Sequence, residues 1–136
     1  MTNLRWLKWA VAKHFHEKVF KVNMKSLKVG NAAIDGEVVG KGWKIAIELK
    51  STHDDVVRGL GQLAEAVAYG YNEAALVTSL RRATQIKSAT FDKHKFILLG
   101  VNSAGRVFQV YPTYASTLED EKQGSSFTKQ IRKKTI

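Results

Sequence analysis

Hydrophobic residues at helical spacing open the chain. Four of them lie three or four positions apart and predict the buried face of a helix that runs to about Val19: Leu4, Leu7, Val11 and Phe15. From residue 20 to residue 24, hydrophobic and polar side chains alternate, which is typical of a strand with one exposed face. Gly30 and Asn31 then interrupt this pattern. The chain therefore begins with an amphipathic helix and a strand.

Two further strands are predicted at residues 32–39 and 43–50, joined by a tight turn at Gly40-Lys41-Gly42. In the second strand, alternation places four side chains on one face: Lys44, Ala46, Glu48 and Lys50. A helix follows at residues 54–71, and Asn72 is expected to close it in the left-handed conformation. Its predicted buried stripe has the same helical spacing as that of the first helix: Val56, Leu60, Leu63 and Val67.

The rest of the pattern predicts the fold class. Residues 74–79 form a short apolar run, as in a buried parallel strand, and residues 80–95 have weak helical character. Residues 96–101 and 106–111 flank a turn and predict a C-terminal hairpin. We therefore predict an α/β fold with a central mixed sheet flanked by helices. The main domain spans residues 1–112, and residues 113–136 form a polar basic tail, either a basic arm or a short final helix.

A formal net charge of +10 and a sequence pI of about 9.9 indicate a polyanionic partner. Nucleic acid is the commonest such partner, and an anionic membrane surface is the second. The 136 residues begin at Met1 and suggest one complete domain. The absence of cysteine excludes disulfides and thiolate metal sites. No apolar run is long enough to cross a bilayer, and no secretory signal opens the chain, so we expect a cytoplasmic location and no membrane partner.

Charged residues on the predicted hairpin carry the strongest chemical signal. Glu48 and Lys50 share one face of their strand, and Asp35 and Glu37 share one face of the preceding strand. Pairing of the two strands brings these groups together. Carboxylates this close resist ionising together, and a divalent cation that prefers oxygen ligands, Mg²⁺ or Mn²⁺, offsets their repulsion. Lys50 is then placed to hold an attacking water or to stabilise charge on a phosphate.

Ile34-Asp35, a gap of twelve residues and Glu48-Leu49-Lys50 resemble the signature of the PD-(D/E)xK nuclease superfamily. Its members include restriction endonucleases, RecB-like nucleases and small archaeal Holliday-junction resolvases. Ala33-Ile34 stands where the name-giving proline would be. The resemblance covers somewhat more than half of the chain and implies a restriction-endonuclease-like αβββαβ core. It further implies that Asp35 and Glu48 bind Mg²⁺ or Mn²⁺, and that Lys50 is catalytic in a DNA phosphodiesterase.

The resemblance implies two further site residues. RecB-like members carry a glutamine on the helix after the catalytic strand, and Gln62 is similar to it, although an exposed polar residue is the alternative. The tyrosine expected four residues later is Ala66 here, and Tyr69 lies further along. Several members place a metal-binding glutamate on the first helix, which implies Glu17 as a ligand; a surface glutamate is the alternative. Glu37 would replace Asp35 if the strand register differed.

The predicted contacts to DNA are basic residues on several elements: Lys41, Lys44, Arg58 and Lys133. The enzyme would be structure-specific, as junction resolvases are, or end-processing, as RecB-like enzymes are. The compact, basic junction resolvases are dimers, so the resemblance also implies a homodimer. The alternative function is a non-catalytic nucleic-acid-binding protein that keeps a nuclease fold, although such a protein has no need of the acidic residues.

Overall fold

The computed structural model describes residues 3–112, with only the backbone of Ser88. The predicted tail at residues 113–136, which includes Lys133, lies outside the described residues. In chain order, the described part contains these elements: α1 (Leu4–His16), β1 (Lys21–Asn23), β2 (Leu27–Val29), β3 (Ala32–Ile34), β4 (Gly36–Gly40), β5 (Trp43–Leu49), α2 (Val56–Ala68), β6 (Glu73–Ser79), α3 (Leu80–Ala83), α4 (Ser88–His94), β7 (Ile97–Val101) and β8 (Val107–Tyr111).

The centre of the described fold is a six-stranded sheet with the strand order β1-β4-β5-β6-β7-β8. Strands β5, β6 and β7 run parallel, whereas β1, β4 and β8 pair antiparallel with their neighbours. The predicted α/β fold, with a central mixed sheet flanked by helices and a C-terminal hairpin, is confirmed. The order α1-β1-β4-β5-α2-β6 agrees with an αβββαβ arrangement, to which β2 and β3 add a separate two-stranded sheet.

Alternation along β5 divides the interior into two hydrophobic cores, one on each face of the sheet. On one face, Ile45, Ile47 and Leu49 pack with residues of α1. On the other face, Ala46 packs with Leu60 and other residues of α2. The α1 stripe is confirmed at Leu7, Val11 and Phe15, which are fully buried, but Leu4 in the first turn is 39% exposed. The α1 face and the α2 face of the sheet therefore bury two separate sets of residues.

The strand predicted over residues 32–39 is divided at Asp35. β3 pairs with β2, whereas β4 pairs with β5. At the division the Asp35 N–H donates to the Ile47 carbonyl (3.0 Å), and the Asp35 carboxylate accepts the Leu49 N–H (2.7 Å). Because this side chain replaces a backbone acceptor, the chain can leave the main sheet here. The sequence pattern does not predict β2, since three residues are too few to show a period.

Helix α2 is shorter than the predicted span of residues 54–71. The Asp55 carboxylate caps its first turn, and the helix ends at Ala68. The prediction that Asn72 closes this helix is wrong. Asn72 instead forms hydrogen bonds with the backbone N–H and carbonyl of Lys44 (2.9 and 3.0 Å) and so joins the loop to β5. The buried stripe also differs at one position, because Ala66 is buried and Val67 is 40% exposed.

The weak helix predicted over residues 80–95 is two short helices, α3 and α4. Ser79 caps α3 through its hydroxyl, and buried Ala83 and Phe91 attach the two helices to the α2 face of the sheet. Within residues 3–112, no helix is both long and apolar enough to cross a membrane.

Candidate active site

Asp35, Glu48 and Lys50 come together at the carboxyl end of β5. Glu48 and Lys50 point to the α2 face, and the Lys50 Nζ lies 3.5 Å from the Glu48 Oε2. The Asp35 carboxylate, fixed by the Leu49 N–H, interacts with Glu48 through charge and a side-chain hydrogen bond. The structure therefore brings together the three residues on which the nuclease resemblance rests, and the break at Asp35 is what turns its carboxylate toward β5.

Glu48 is buried, and its pKa is raised above the usual value for a glutamate. Only 4% of its surface is exposed. Burial raises the pKa of Glu48 to about 8; the negative charge of Asp35 acts in the same direction, and Lys50 opposes both. Without a cation the Glu48 carboxyl therefore holds a proton at neutral pH. A cation bound beside it would favour the ionised form.

Gly59 of α2 lies directly over these side chains. A Cβ at Gly59 would be 2.6 Å from the Lys50 Cε and 3.4 Å from the Glu48 Cγ. Gly61, two residues later, has open space around the corresponding position. The helix can approach the site this closely because Gly59 has no side chain. Close packing thus accounts for Gly59, whereas it does not account for Gly61.

Buried oxygens without partners concentrate around this site. Among the described residues, three buried side-chain atoms lack a hydrogen-bond partner: Glu48 Oε1, Gln62 Oε1 and Thr78 Oγ1. The Gln62 Nε2 donates to the Ala33 carbonyl (2.9 Å), two residues before Asp35, so the amide sits beside the cluster. Unsatisfied buried polar atoms are rare and often mark a ligand or ion. Sequence reasoning missed Thr78, for which the only signal is a hydroxyl within an apolar strand.

The donor atoms fit a hard cation that keeps part of its water shell. Mg²⁺ is commonly bound through one or two carboxylates, with waters completing its octahedron. Asp35 and Glu48 provide two carboxylates, and Glu48 Oε1 has no protein partner. Residues 3–112 contain no group of three or more His, Cys, Asp or Glu side chains suited to a metal. The carboxylate oxygens of Asp35 and Glu48 are donors of the kind that Mg²⁺ and Mn²⁺ prefer.

Glu17 lies apart from this cluster. It follows α1 and lines a small pocket with His14 and Arg106, next to β8. Three strand spacings separate β8 from β5, about 14 Å at ~4.8 Å per strand. Helix α1 also packs on the opposite face of the sheet from Glu48. This placement corrects the expectation that Glu17 is a third metal ligand.

Glu37 and Lys44 are engaged elsewhere on the α2 face. The Tyr71 hydroxyl donates to the Glu37 Oε1 (2.5 Å), and the Lys44 Nζ lies 4.3 Å from the centre of the Tyr71 ring. Burial and the neighbouring Glu37 raise the pKa of Tyr71. Glu37 therefore does not replace Asp35, and Lys44 contributes to a contact within the protein.

Three further residues in or directly after α2 have structural or exposed positions. Glu65 accepts the Asn31 N–H (3.3 Å), and Tyr69 packs over the turn between β2 and β3, so both support that hairpin. Arg58 is exposed next to Gly59, near the cluster. Lys41 is exposed in the turn between β4 and β5, about 23 Å from Glu48 at ~3.3 Å per residue.

A cleft of about 990 Å³ opens outside the carboxyl ends of β5, β6 and β7. Its described lining includes Arg81 and Arg82 and no acidic residue. Arg82 donates to the carbonyls of Ser51 and Asp54, which fixes the loop that follows Lys50. Arg81 is exposed. Ligands of open α/β sheets bind outside the carboxyl ends of the strands, so this cleft is suited to an anion.

Comparison with known proteins identifies no relative of this chain. No family model matches it, and neither a curated protein nor a solved structure matches it.

Proposed function

We propose that this protein is a metal-dependent nuclease of the PD-(D/E)xK type that hydrolyses DNA phosphodiester bonds. The observation that supports this most directly is the convergence of Asp35, Glu48 and Lys50 around a buried, unpartnered Glu48 oxygen. A buried acid and a buried lysine beside a half-buried second acid are costly for folding alone. Their arrangement suits the binding of a cation and the stabilisation of charge on a phosphate.

In this proposal Asp35 and Glu48 hold Mg²⁺ or Mn²⁺. Such an ion would supply Lewis-acid chemistry, polarising a phosphodiester and lowering the pKa of a water molecule. The Leu49 N–H fixes the Asp35 carboxylate and so presets one side of the binding position. Glu48 releases its proton when the cation binds. Gln62 places its unpartnered carbonyl oxygen nearby, where it can orient a water.

Lys50 provides the positive charge of the site. Only 7% of the residue is exposed, so its ammonium acts in a medium of low dielectric constant. It can stabilise negative charge that develops on a phosphate oxygen. Gly59 leaves the room that the lysine chain occupies. The role of Lys50 therefore depends on how closely α2 approaches β5.

DNA is the partner that the charge favours. The chain carries a net charge of +10. The cleft beyond the strand ends, whose described lining includes Thr52, two residues after Lys50, holds two arginines and no acid. Arg58 is exposed beside Gly59, and Arg81 is exposed in the lining of this cleft. We infer that the sugar–phosphate backbone follows this cleft toward Lys50. The same proposal includes a homodimer, with DNA bridging its two protomers.

The function is tested by incubation with supercoiled, linear, single-stranded and four-way-junction DNA, with Mg²⁺, Mn²⁺ or a chelator. Cleavage that requires the metal is the expected result. The preferred DNA then separates a junction-resolvase-like enzyme from an end-processing one. Tight DNA binding without cleavage under every metal condition would contradict the nuclease and favour the non-catalytic binding protein.

A matched pair of substitutions on α2 tests the packing over Lys50. Gly59→Ala places a Cβ against the Lys50 Cε, so we expect the cleavage rate to fall about tenfold or more. Gly61→Ala meets no atom, so it raises stability by about 0.5–1 kcal/mol through helix propensity and leaves cleavage unchanged. Cleavage rates and thermal unfolding of both variants provide the measurement. Equal cleavage by the two variants would show that the role of Lys50 does not depend on its packing against Gly59.

A second matched pair of substitutions tests whether DNA binds in the cleft. Arg81→Glu should weaken DNA binding about tenfold and reduce the log–log salt slope by about 1, as expected for a lost phosphate contact. Lys41→Glu makes the same change in charge at the far end of the sheet, and we expect a much smaller effect on both quantities. Binding is titrated with chelator at several salt concentrations. Equal losses from both variants would indicate a general charge effect and no defined cleft.

A further inference from the structure

Thr78 occupies the position on β6 directly beside Lys50. β5 and β6 pair in parallel with Glu48 opposite Leu76 and Leu49 opposite Val77. The Lys50 N–H continues this ladder by donating to the Val77 carbonyl (2.8 Å), so the next neighbours are Lys50 and Thr78. Laterally paired positions of adjacent strands point to the same face of a sheet. The Thr78 hydroxyl therefore lies on the α2 face, next to the lysine side chain.

The hydroxyl of Thr78 has no evident use in the fold. Thr78 is fully buried, and its Oγ1 has no hydrogen-bond partner among the described residues. The four residues before it in β6 are all apolar and buried: Ala74, Ala75, Leu76 and Val77. Valine would fill the same volume without the penalty of an unsatisfied buried oxygen. A hydroxyl at this position therefore points to a partner that the metal-free protein does not provide.

Lys50 is the group nearby that needs a second acceptor. Its ammonium has three donors and is paired with the Glu48 Oε2 at 3.5 Å, longer than a good charged hydrogen bond. Once the Glu48 oxygens serve a cation, they are less available as acceptors, and the positive ion repels the ammonium. The ammonium remains buried between β5 and Gly59, where a donor without an acceptor is costly. The adjacent Thr78 hydroxyl can accept from it.

We propose that Thr78 is a positioning residue for Lys50, whose ammonium it holds by a hydrogen bond when Glu48 is engaged by a cation. The lysine thus has two partners, Glu48 in the metal-free protein and Thr78 in the loaded site. This inference rests on the proposed function and adds a residue from β6 to a site otherwise built from β5, α2 and the β3–β4 break. It also accounts for the unpartnered hydroxyl beside Lys50.

The test compares Thr78→Val, which removes only the hydroxyl, with Thr78→Ser, which keeps it. Without Mg²⁺, Thr78→Val should unfold at a higher temperature than the wild type, because an unsatisfied buried oxygen is removed. In Thr78→Val the lysine stays on Glu48 and competes with the cation. We expect Mg²⁺ affinity, measured by calorimetric titration, to fall by about three- to tenfold, within the range for contacting residues. Thr78→Ser should retain the wild-type affinity.

A double-mutant cycle assigns the effect to Lys50. In a Lys50→Ala background, Thr78→Val should leave Mg²⁺ affinity unchanged, since no ammonium remains to be held. In the wild-type background, Thr78→Val should lower kcat about tenfold while KM for DNA stays constant.

The outcomes separate this inference from the proposed function. If the wild type binds Mg²⁺ and cleaves DNA, but Thr78→Val matches it in Mg²⁺ affinity and kcat, the role of Thr78 is overturned alone. The same holds if Thr78→Val weakens Mg²⁺ binding equally with and without Lys50. If the wild type neither binds Mg²⁺ nor cleaves DNA, both proposals are overturned.

Discussion

Asp35→Asn and Glu48→Gln are each expected to reduce metal-dependent DNA cleavage by about 10³-fold or more, while DNA binding survives. Each change keeps the shape of the side chain but removes a negative charge from the position proposed for the cation. The loss of one preorganised electrostatic group typically costs about 10²–10³ in rate, and the loss of a metal ligand adds reduced metal occupancy. Binding is retained because a carboxylate attracts metal but repels phosphate. Single-turnover cleavage and binding titrations in chelator measure the two effects separately.

Glu37→Gln is the matched control for these variants. Glu37 lies on the strand next to Glu48 and has the same functional group, but its partner is the Tyr71 hydroxyl, for which an amide oxygen can also act as acceptor. We expect cleavage by Glu37→Gln to stay within about threefold of the wild type, the scatter typical of a substitution outside the reacting groups. Loss of cleavage in Glu37→Gln, with activity retained in Glu48→Gln, would show that Glu37 belongs to the active site and Glu48 does not. That result would refute the assignment of Glu48.

Glu48→Gln should also stabilise the metal-free protein, and increasingly so as the pH rises. The pKa of Glu48 is about 8 in the folded protein, against about 4.5 when unfolded. An acid whose pKa is raised by folding contributes stability in its protonated form, and this contribution is lost as the pH rises from about 4.5 to about 8. Glutamine does not titrate. We therefore expect the two proteins to melt together near pH 5, and the variant to melt about 5 °C or more higher at pH 9.

The effect of Mg²⁺ on the melting temperature tests the same ionisation of Glu48. At pH 8 to 9, Mg²⁺ should raise the melting temperature of the wild type, since it binds the ionised Glu48 that folding otherwise disfavours. Glu48→Gln should gain little. Glu17→Gln serves as a control, because it removes an acid far from the cluster and should leave the pH dependence of the wild type unchanged. A melting-temperature difference that stays constant from pH 5 to 9 would show that Glu48 is not held protonated by the fold.

The alternation and spacing of hydrophobic residues were sufficient to predict most of the fold. The helix α1 and the strand β5 follow from periods of 3.6 and two residues, β6 follows from a short apolar run, and β7 and β8 follow from the turn that they flank. All of these are local properties. The same local argument places Glu48 and Lys50 on one face of β5. Breaks in the pattern were harder to predict. The division of residues 32–39 at Asp35 depends on a hydrogen bond to Leu49, fourteen residues away, which no local pattern indicates.

Three features of the site were decided by tertiary structure alone. Gly59 and Gly61 are alike in sequence, but only Gly59 faces β5, since the rotation of α2 is fixed by its packing on the sheet. Glu17 is an acid on the first helix, yet α1 covers the opposite face from Glu48. Thr78 becomes a neighbour of Lys50 only through the parallel pairing of β5 with β6. The sequence by itself determined which residue types share a strand face; contacts between distant segments decided which of them meet, because long-range register and helix rotation depend on the packing of the whole core.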